Sequence, residues 1–457
     1  MTKKDKLTTG NVFKVLFLFS LPMILSVTLQ QFYNICDSMI AGKMIKDDSI
    51  SLSAISSTYP VTVLYLAIAV GFGVGANIIC ARYIGQKNYK NAKTTLYSSL
   101  ITIAIIALVI SLLGFILLEP ILALLNISGQ NYYTEARIYL FYYTIGILFL
   151  FIYNVVTSLF QSLGNSRIPL YLLIFSTLLN IFLDILFVNL GMGIRGIALA
   201  TFISQALAST ISLIVLLLYS SKVLEKPDKI FDLNILKSVL ALAIPSIIQG
   251  SIISIGGIMI QSLINSFGPN VTAGYGAAYK IVYVVVNIYT VMSNAISTFT
   301  STNAGAMQYD RIRKGFISGF IICAIITLVA TTIFLTMPKN LLSIFGDEKL
   351  SGEVVDVGTK FIYCVAPFYI FLCIKIPCDG VLKGSSDMRN FMIGTFLDLI
   401  IRVVLSYILG NVLPNEYKII GIFLSWPIGW LFGMIVSIVS YKKGRWMKLI
   451  GYEKEAV

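Results

Sequence analysis

The chain reads as long apolar runs cut at intervals by Gly, Pro and clustered charge. The cuts define twelve stretches, roughly 12–40, 52–80, 94–118, 132–160, 168–190, 194–220, 235–264, 271–302, 314–337, 354–382, 390–410 and 416–440. A 30 Å hydrocarbon layer takes about 20 residues of helix per crossing, and every stretch reaches that length. The pattern predicts an all-α polytopic membrane protein with twelve transmembrane helices.

Composition strengthens this. Of 457 residues, 57% are hydrophobic and only 12% charged, where a soluble domain carries about 25% charged residues. A water-soluble enzyme is excluded. The apolar run after Lys3, Lys4 and Lys6 continues into Gln30, Gln31, Asn34 and Asp37 without a small-residue cleavage site, so it is expected to be an uncleaved first helix rather than a signal peptide. The net charge of +13 lies in short connections, which fits retention on the cytoplasmic side better than nucleic-acid binding. With both termini inside, 23 of the 34 Lys and Arg fall on the inner side, 8 outside and 3 within helices.

The most polar connection, SKVLEKPDKIFD at 221–232, divides the crossings six and six. It gives an N-terminal lobe 1–220, a cytoplasmic linker 221–234 and a C-terminal lobe 235–457 with a short basic tail. The halves also repeat. Lys14 and Pro22 correspond to Lys237 and Pro245 at an offset of 223; Gly85/Gly305, Tyr89/Tyr309 and Gly164/Gly384 are 220 apart; Gly196-Ile197 and Gly421-Ile422 are 225 apart. Six crossings per copy give both copies the same orientation, an arrangement used by alternating-access transporters.

Histidine is absent, so protons handled inside the membrane must ride on carboxylates. Most acids lie in loops or at helix ends. Asp37, in the first crossing, and Asp184, in the fifth, do not. A carboxylate at membrane depth costs several kcal/mol unless it is paired, protonated or facing a cavity. Asn180 is one turn before Asp184 on the same face, and Asn34, Asn154 and Thr201 add polar groups on the first, fourth and sixth crossings. These residues either join helices by hydrogen bonds or hold a proton or small cation. Two acids with no basic partner in their lobe favour the second reading.

The C-terminal lobe differs. Lys375 and Asp379, and Asp398 and Arg402, are each one turn apart, the spacing of internal ion pairs. Lys280 has no partner in its own stretch and is a candidate for the cavity wall, with Asn34 and the aromatic rings of Tyr33, Tyr139, Tyr153 and Tyr275. Gly71, Gly73 and Gly75 lie inside a crossing, where close helix packing explains them. No GxxxxGK[ST] is present, which argues against ATP-driven transport by this chain alone. The six cysteines, Cys36, Cys80, Cys323, Cys364, Cys373 and Cys378, show no CxxC spacing and read as small buried hydrophobes. No resident metal or cofactor is expected.

Six segments taken in order, LPMILSVTLQQFYNICDSMIAG, GVGANIICARYIGQKN, FQSLGNSRIPL, GIRGIALATFISQ, TAGYGAAYKI and DGVLKGSSDMRN, resemble the multidrug and toxic compound extrusion family, its bacterial branch with an N-lobe cation site. The resemblance covers nearly the whole chain. It implies an antiporter driven by H+ or Na+, with the cation site matching Asp37, Asn154, Asn180, Asp184 and Thr201. Where another branch carries a seventh-helix acid, this chain has Gln249 in IPSIIQGSIISIG, a further cavity candidate.

The expected function is therefore secondary active export of organic, cationic or amphipathic, compounds from a bacterial plasma membrane by a monomer, with the bilayer and small-molecule substrates as its partners. A flippase for lipid-linked saccharides is the alternative, and an intramembrane aspartyl protease built on Asp37 and Asp184 a remote one, since no GxGD sequence surrounds either acid.

Overall fold

The computed structural model describes residues 7–44, 48–125, 127, 132–343 and 352–452; within these, the side chains of 32–44, 48–53, 55, 56, 59 and 60 lie outside the described set. Among the described residues there are twelve long apolar helices and no strand. They are α1 (Val12–Met44), α2 (Asp48–Gly85), α3 (Tyr89–Ile116), α4 (Tyr133–Ser162), α5 (Arg167–Asn189), α6 (Gly193–Val223), α7 (Leu233–Asn265), α8 (Pro269–Gly305), α9 (Tyr309–Thr336), α10 (Gly352–Gly384), α11 (Met388–Val412) and α12 (Lys418–Lys443).

Several helices outrun their apolar stretches into polar sequence. Asn88 accepts the Asn91 N–H at 3.1 Å and starts α3 at Tyr89. α8 continues through a Ser/Thr-rich end in which Thr298 and Thr302 bond back to carbonyls one turn earlier. Pro367, which lacks an N–H, breaks α10 into two α-helical parts around a 3-10 turn at Ala366–Phe368. Thr331 of α9 donates to the Ala366 carbonyl at that break. Short helices at Leu118–Leu124, Pro338–Ser343 and Arg445–Leu449 were not predicted, being too brief to leave a periodic trace.

The ends of α2 and α8, which the repeat makes equivalent, close in the same turn. After α2, the N–H groups of Gln86, Lys87 and Asn88 bond to Arg82, Ile84 and Tyr83; after α8, those of Ala306, Met307 and Gln308 bond to Thr302, Ala304 and Asn303. Lys87 and Met307 take positive φ, 58° and 56°. After α4 and α10 the same turn recurs, but it aligns Gly164 with Ser386, at φ 70° and 69°. This corrects the pairing of Gly164 with Gly384, which is the last residue of α10; the register of the turn, not the identity of the glycine, sets equivalence.

The chain packs as two units, one containing Leu21–Ser251 and the other Lys6–Ser20 with Ile252–Val457. α1 and α7 each contribute to both, and each carries an internal proline, Pro22 or Pro245, near the division.

In the first unit, the three glycines of α2 serve packing. A Cβ on Gly71 would lie 2.6 Å from the Ile247 nitrogen and one on Gly75 2.5 Å from the Val239 carbonyl oxygen, both on α7. Gly73 faces Ser158 of α4 instead. The polar 221–232 connection is latched to one face of α3: Lys90 pairs with Asp228 at 2.9 Å, Thr94 donates to the Lys229 carbonyl and Ser98 accepts the Asp232 N–H.

Candidate functional site

On α5, residues 180, 184 and 188 form a buried stripe, with Asn180 1% and Asp184 0% exposed. Tyr171, Phe175, Leu178 and Phe182 lie on the opposite side and are exposed, as a lipid-facing surface requires. Asp184 thus points into the unit, beside an amide, rather than toward lipid. Helix α5 packs principally against α6, which also packs against α4.

The other candidates divide by position. Thr201 on α6 and Asn154 on α4 are half-buried, and Asn154 donates to the Leu150 carbonyl of its own helix at 2.8 Å. The structure thus brings the helices bearing Asn154, Asn180, Asp184 and Thr201 into one packed set. Asp37, Asn34 and Tyr33 fall in α1, but their side chains lie outside the described residues.

Two features of this unit escaped the sequence reading. Asn77 of α2 is buried and donates to the Ser158 carbonyl of α4 at 2.8 Å. Tyr139 belongs to a run of rings, its centroid 6.3 Å from Tyr143, which stacks on Tyr65 of α2 at 6.4 Å. The i, i+4 spacing of Tyr139 and Tyr143 was visible in the sequence; the arrival of Tyr65 was not. Tyr153 and Gln249 are half-buried on α4 and α7.

Four of the intramembrane charges of the second unit close on one another in two pairs. Lys375 Nζ lies 2.7 Å from Asp379 Oδ2, and Ser437 of α12 donates to Asp379 Oδ1 at 2.6 Å. Arg402 Nη2 bonds Asp398 Oδ1 at 2.6 Å, while its guanidinium lies over the Trp426 ring at 4.5 Å. Gly429 and Gly433 let α12 approach: a Cβ on Gly433 would meet Lys375 Cε at 2.8 Å and Asp398 Cβ at 2.9 Å. Tyr275 is 2% exposed and packs among Phe361, Phe423 and Tyr279, whereas Lys280 is exposed on α8. Among the described residues no group of His, Cys, Asp and Glu is arranged to hold a metal ion.

Two six-helix repeats with matching turns and a buried acid in the first define a twelve-helix membrane transporter. A family model described as MatE matches residues 22–186 and again 245–408, so both matches open on the prolines of the repeat, and the chain belongs to this multidrug and toxic compound extrusion family. It is 28% identical to a probable multidrug resistance protein, YpnP, of Bacillus subtilis over 97% of this chain and 98% of that one. It is 26% identical to an FAD transporter of Shewanella oneidensis over 69% and 71%, and 23% identical to the multidrug export protein MepA of Staphylococcus aureus over 87% of each. Its fold matches a crystal structure of MATE in complex with MaL6, with TM-score 0.88 at 21% identity over 99% of both chains. It also matches a MOP superfamily transporter from Pyrococcus furiosus, described as having a binding pocket of reversed polarity, with TM-score 0.88 at 20% identity over 99% of both.

Proposed function

We propose that this transporter is a secondary active antiporter that exports organic, cationic or amphipathic, compounds in exchange for H+ or Na+. The observation that carries the reading is Asp184, fully buried on the inward stripe of α5 with Asn180 one turn away. A carboxylate there is costly to bury and is retained because taking up a proton or sodium ion changes its charge. In the outward-open state Asp37 and Asp184 accept the cation, with Asn180, Asn154 and Thr201 offering further oxygens, and substrate affinity falls as the helices of the first lobe rearrange. The loaded protein returns inward, releases the cation and binds substrate again. A ligand shifts such an equilibrium only by its difference in affinity between the two states, and the charge change at Asp184 supplies that difference. Both termini face the cytoplasm of a bacterial cell in this scheme, and the transporter works as a monomer without a cofactor.

Of the three cations that could serve a pyrophosphate in the flippase alternative, Lys280, Lys375 and Arg402, the latter two are already matched by Asp379 and Asp398, which weighs against it. Efflux of a fluorescent cationic dye from proteoliposomes, with pH and sodium gradients imposed separately, tests the proposal. Wild type should respond to at least one gradient, and Asp184→Asn should insert and fold but lose coupled efflux. Full transport by Asp184→Asn would remove this acid from the mechanism.

A further inference from the structure

A cavity of about 380 Å³ opens where the start of α1 meets the start of α9 within the second unit, lined by Gly10, Asn11, Val12, Phe13, Arg311, Lys314, Ile317 and Ser318. Its wall has two chemical halves. On the polar side, the guanidinium of Arg311 is spent on neutral acceptors, donating to the carbonyls of Gly10, Leu7 and Thr9 and to Asn303 Oδ1 at 2.8–3.3 Å. Among the described residues no acid pairs with this guanidinium. Lys314, one turn inward and exposed, makes no ion pair among the described residues; Asp310, one turn before it, is the nearest acid along α9. Ser318 lies in the wall at 7% exposure.

The other half is apolar and continues along both helices. Phe13 and Ile317 are 37% and 55% exposed, and Phe17, stacked on Phe13 at 6.2 Å, and Ile321 extend the strip one turn further. A cavity carrying two cations with no acid partner among the described residues at one end, and an open apolar strip at the other, matches one kind of molecule present at that depth.

We propose that this cavity binds an anionic phospholipid, its phosphate between Lys314 and Arg311 and an acyl chain along Phe13, Phe17, Ile317 and Ile321. The location supports this occupant. The same end of the unit carries Arg313, Lys383, Arg389, Lys442, Lys443 and Arg445, held together by the Arg445–Asp387 approach and by the Phe316–Tyr441 and Tyr309–Tyr452 ring contacts. Basic pockets between helices at the cytoplasmic face are suited to anionic headgroups. The lipid would also brace the segment 7–10 that Arg311 holds, so its binding should stabilise the second unit.

Native mass spectrometry of the purified full chain, titrated with phosphatidylglycerol or phosphatidylcholine, tests the proposal without depending on transport. Wild type should retain phosphatidylglycerol in preference to phosphatidylcholine and melt at a higher temperature in its presence. Lys314→Gln should weaken retention about fivefold, the value of one cation near an anionic lipid; Lys314→Arg should restore it, and Lys339→Gln, in the short helix Pro338–Ser343 that follows α9, should leave it unchanged. Equal retention by Lys314→Gln and wild type, equal loss in Lys339→Gln, or the same stabilisation from inorganic phosphate alone would overturn it.

Discussion

The two halves of this transporter descend from one repeat, yet they treat buried charge in opposite ways. In the second unit two pairs on α10 and α11, Lys375 with Asp379 and Asp398 with Arg402, each close one helical turn apart, at 2.7 and 2.6 Å, while buried Lys383 at the end of α10 donates to the Asn294 amide oxygen instead. In the first, Asp184 is buried beside an amide, with no Lys or Arg on α5 beyond its first residue, Arg167. A charge matched inside its own helix can be tolerated for structural reasons alone. An acid placed beside an amide is harder to account for without a ligand that comes and goes.

The largest effect expected from testing this contrast is on stability in the second unit. Asp379→Ala leaves Lys375 buried without its partner and should cost about 3–5 kcal/mol, whereas the double change Lys375→Met with Asp379→Leu should come back close to wild type. Asp184→Asn should do the reverse, with little change in melting temperature and loss of coupled transport. Thermal melts of the purified variants, set against dye efflux, separate the two. A double variant that melts normally but no longer transports would place the second-unit pair in the mechanism and erase the contrast.

Helix contacts sharpen it further. A Cβ on Gly75 would press against the Val239 carbonyl and the Ala243 nitrogen at 2.5 and 2.8 Å, backbone atoms that cannot turn aside; one on Gly433 meets side-chain atoms of Lys375 and Asp398 first, and its nearest backbone atom, the Gly394 carbonyl oxygen, only at 3.1 Å. Overpacking of this kind costs about 1–3 kcal/mol. Gly75→Ala should fall near the top of that range and Gly433→Ala lower, in thermal melts of both variants.

Much of this was legible beforehand because the membrane reduces the problem to lengths and charges. The twelve crossings follow from apolar runs, and the Lys375–Asp379 and Asp398–Arg402 pairs from their one-turn spacing, since a pair inside one helix needs no tertiary knowledge. The buried face of α5 was also readable, because Asn180 and Asp184 share it. What depended on neighbouring helices was not. Ser437 reaching Asp379, Trp426 beneath Arg402, Tyr65 meeting Tyr143 and Asn77 bonding α4 each require a crossing angle and register that a single helix does not encode. The break at Ala366–Phe368 had a visible cause in Pro367, but Pro22, Pro245, Pro377 and Pro427 lie inside unbroken helices. Proline alone therefore did not mark it.

The smallest expected effect lies where the first unit receives the connection from α6. Asp232 accepts the backbone N–H groups of Asn234 and Ile235 at 2.8 and 3.2 Å. These bonds, with the one from Ile235 contributing most, hold its carboxyl below the usual range. Negative charge at a helix start also meets the positive end of the helix dipole. Because the folded value is depressed, the carboxylate's contribution is fully present above its unfolded pKa, about 3.9. It is lost as the pH falls through the lower folded value. Asp232→Asn keeps a capping oxygen but has no charge to lose. Between pH 6 and pH 3 its melting temperature should fall slightly less than that of wild type, every other carboxylate being common to both. Identical slopes would mean that the cap works through its oxygen alone and that the charge at this junction, unlike the one proposed for Asp184, has no work to do.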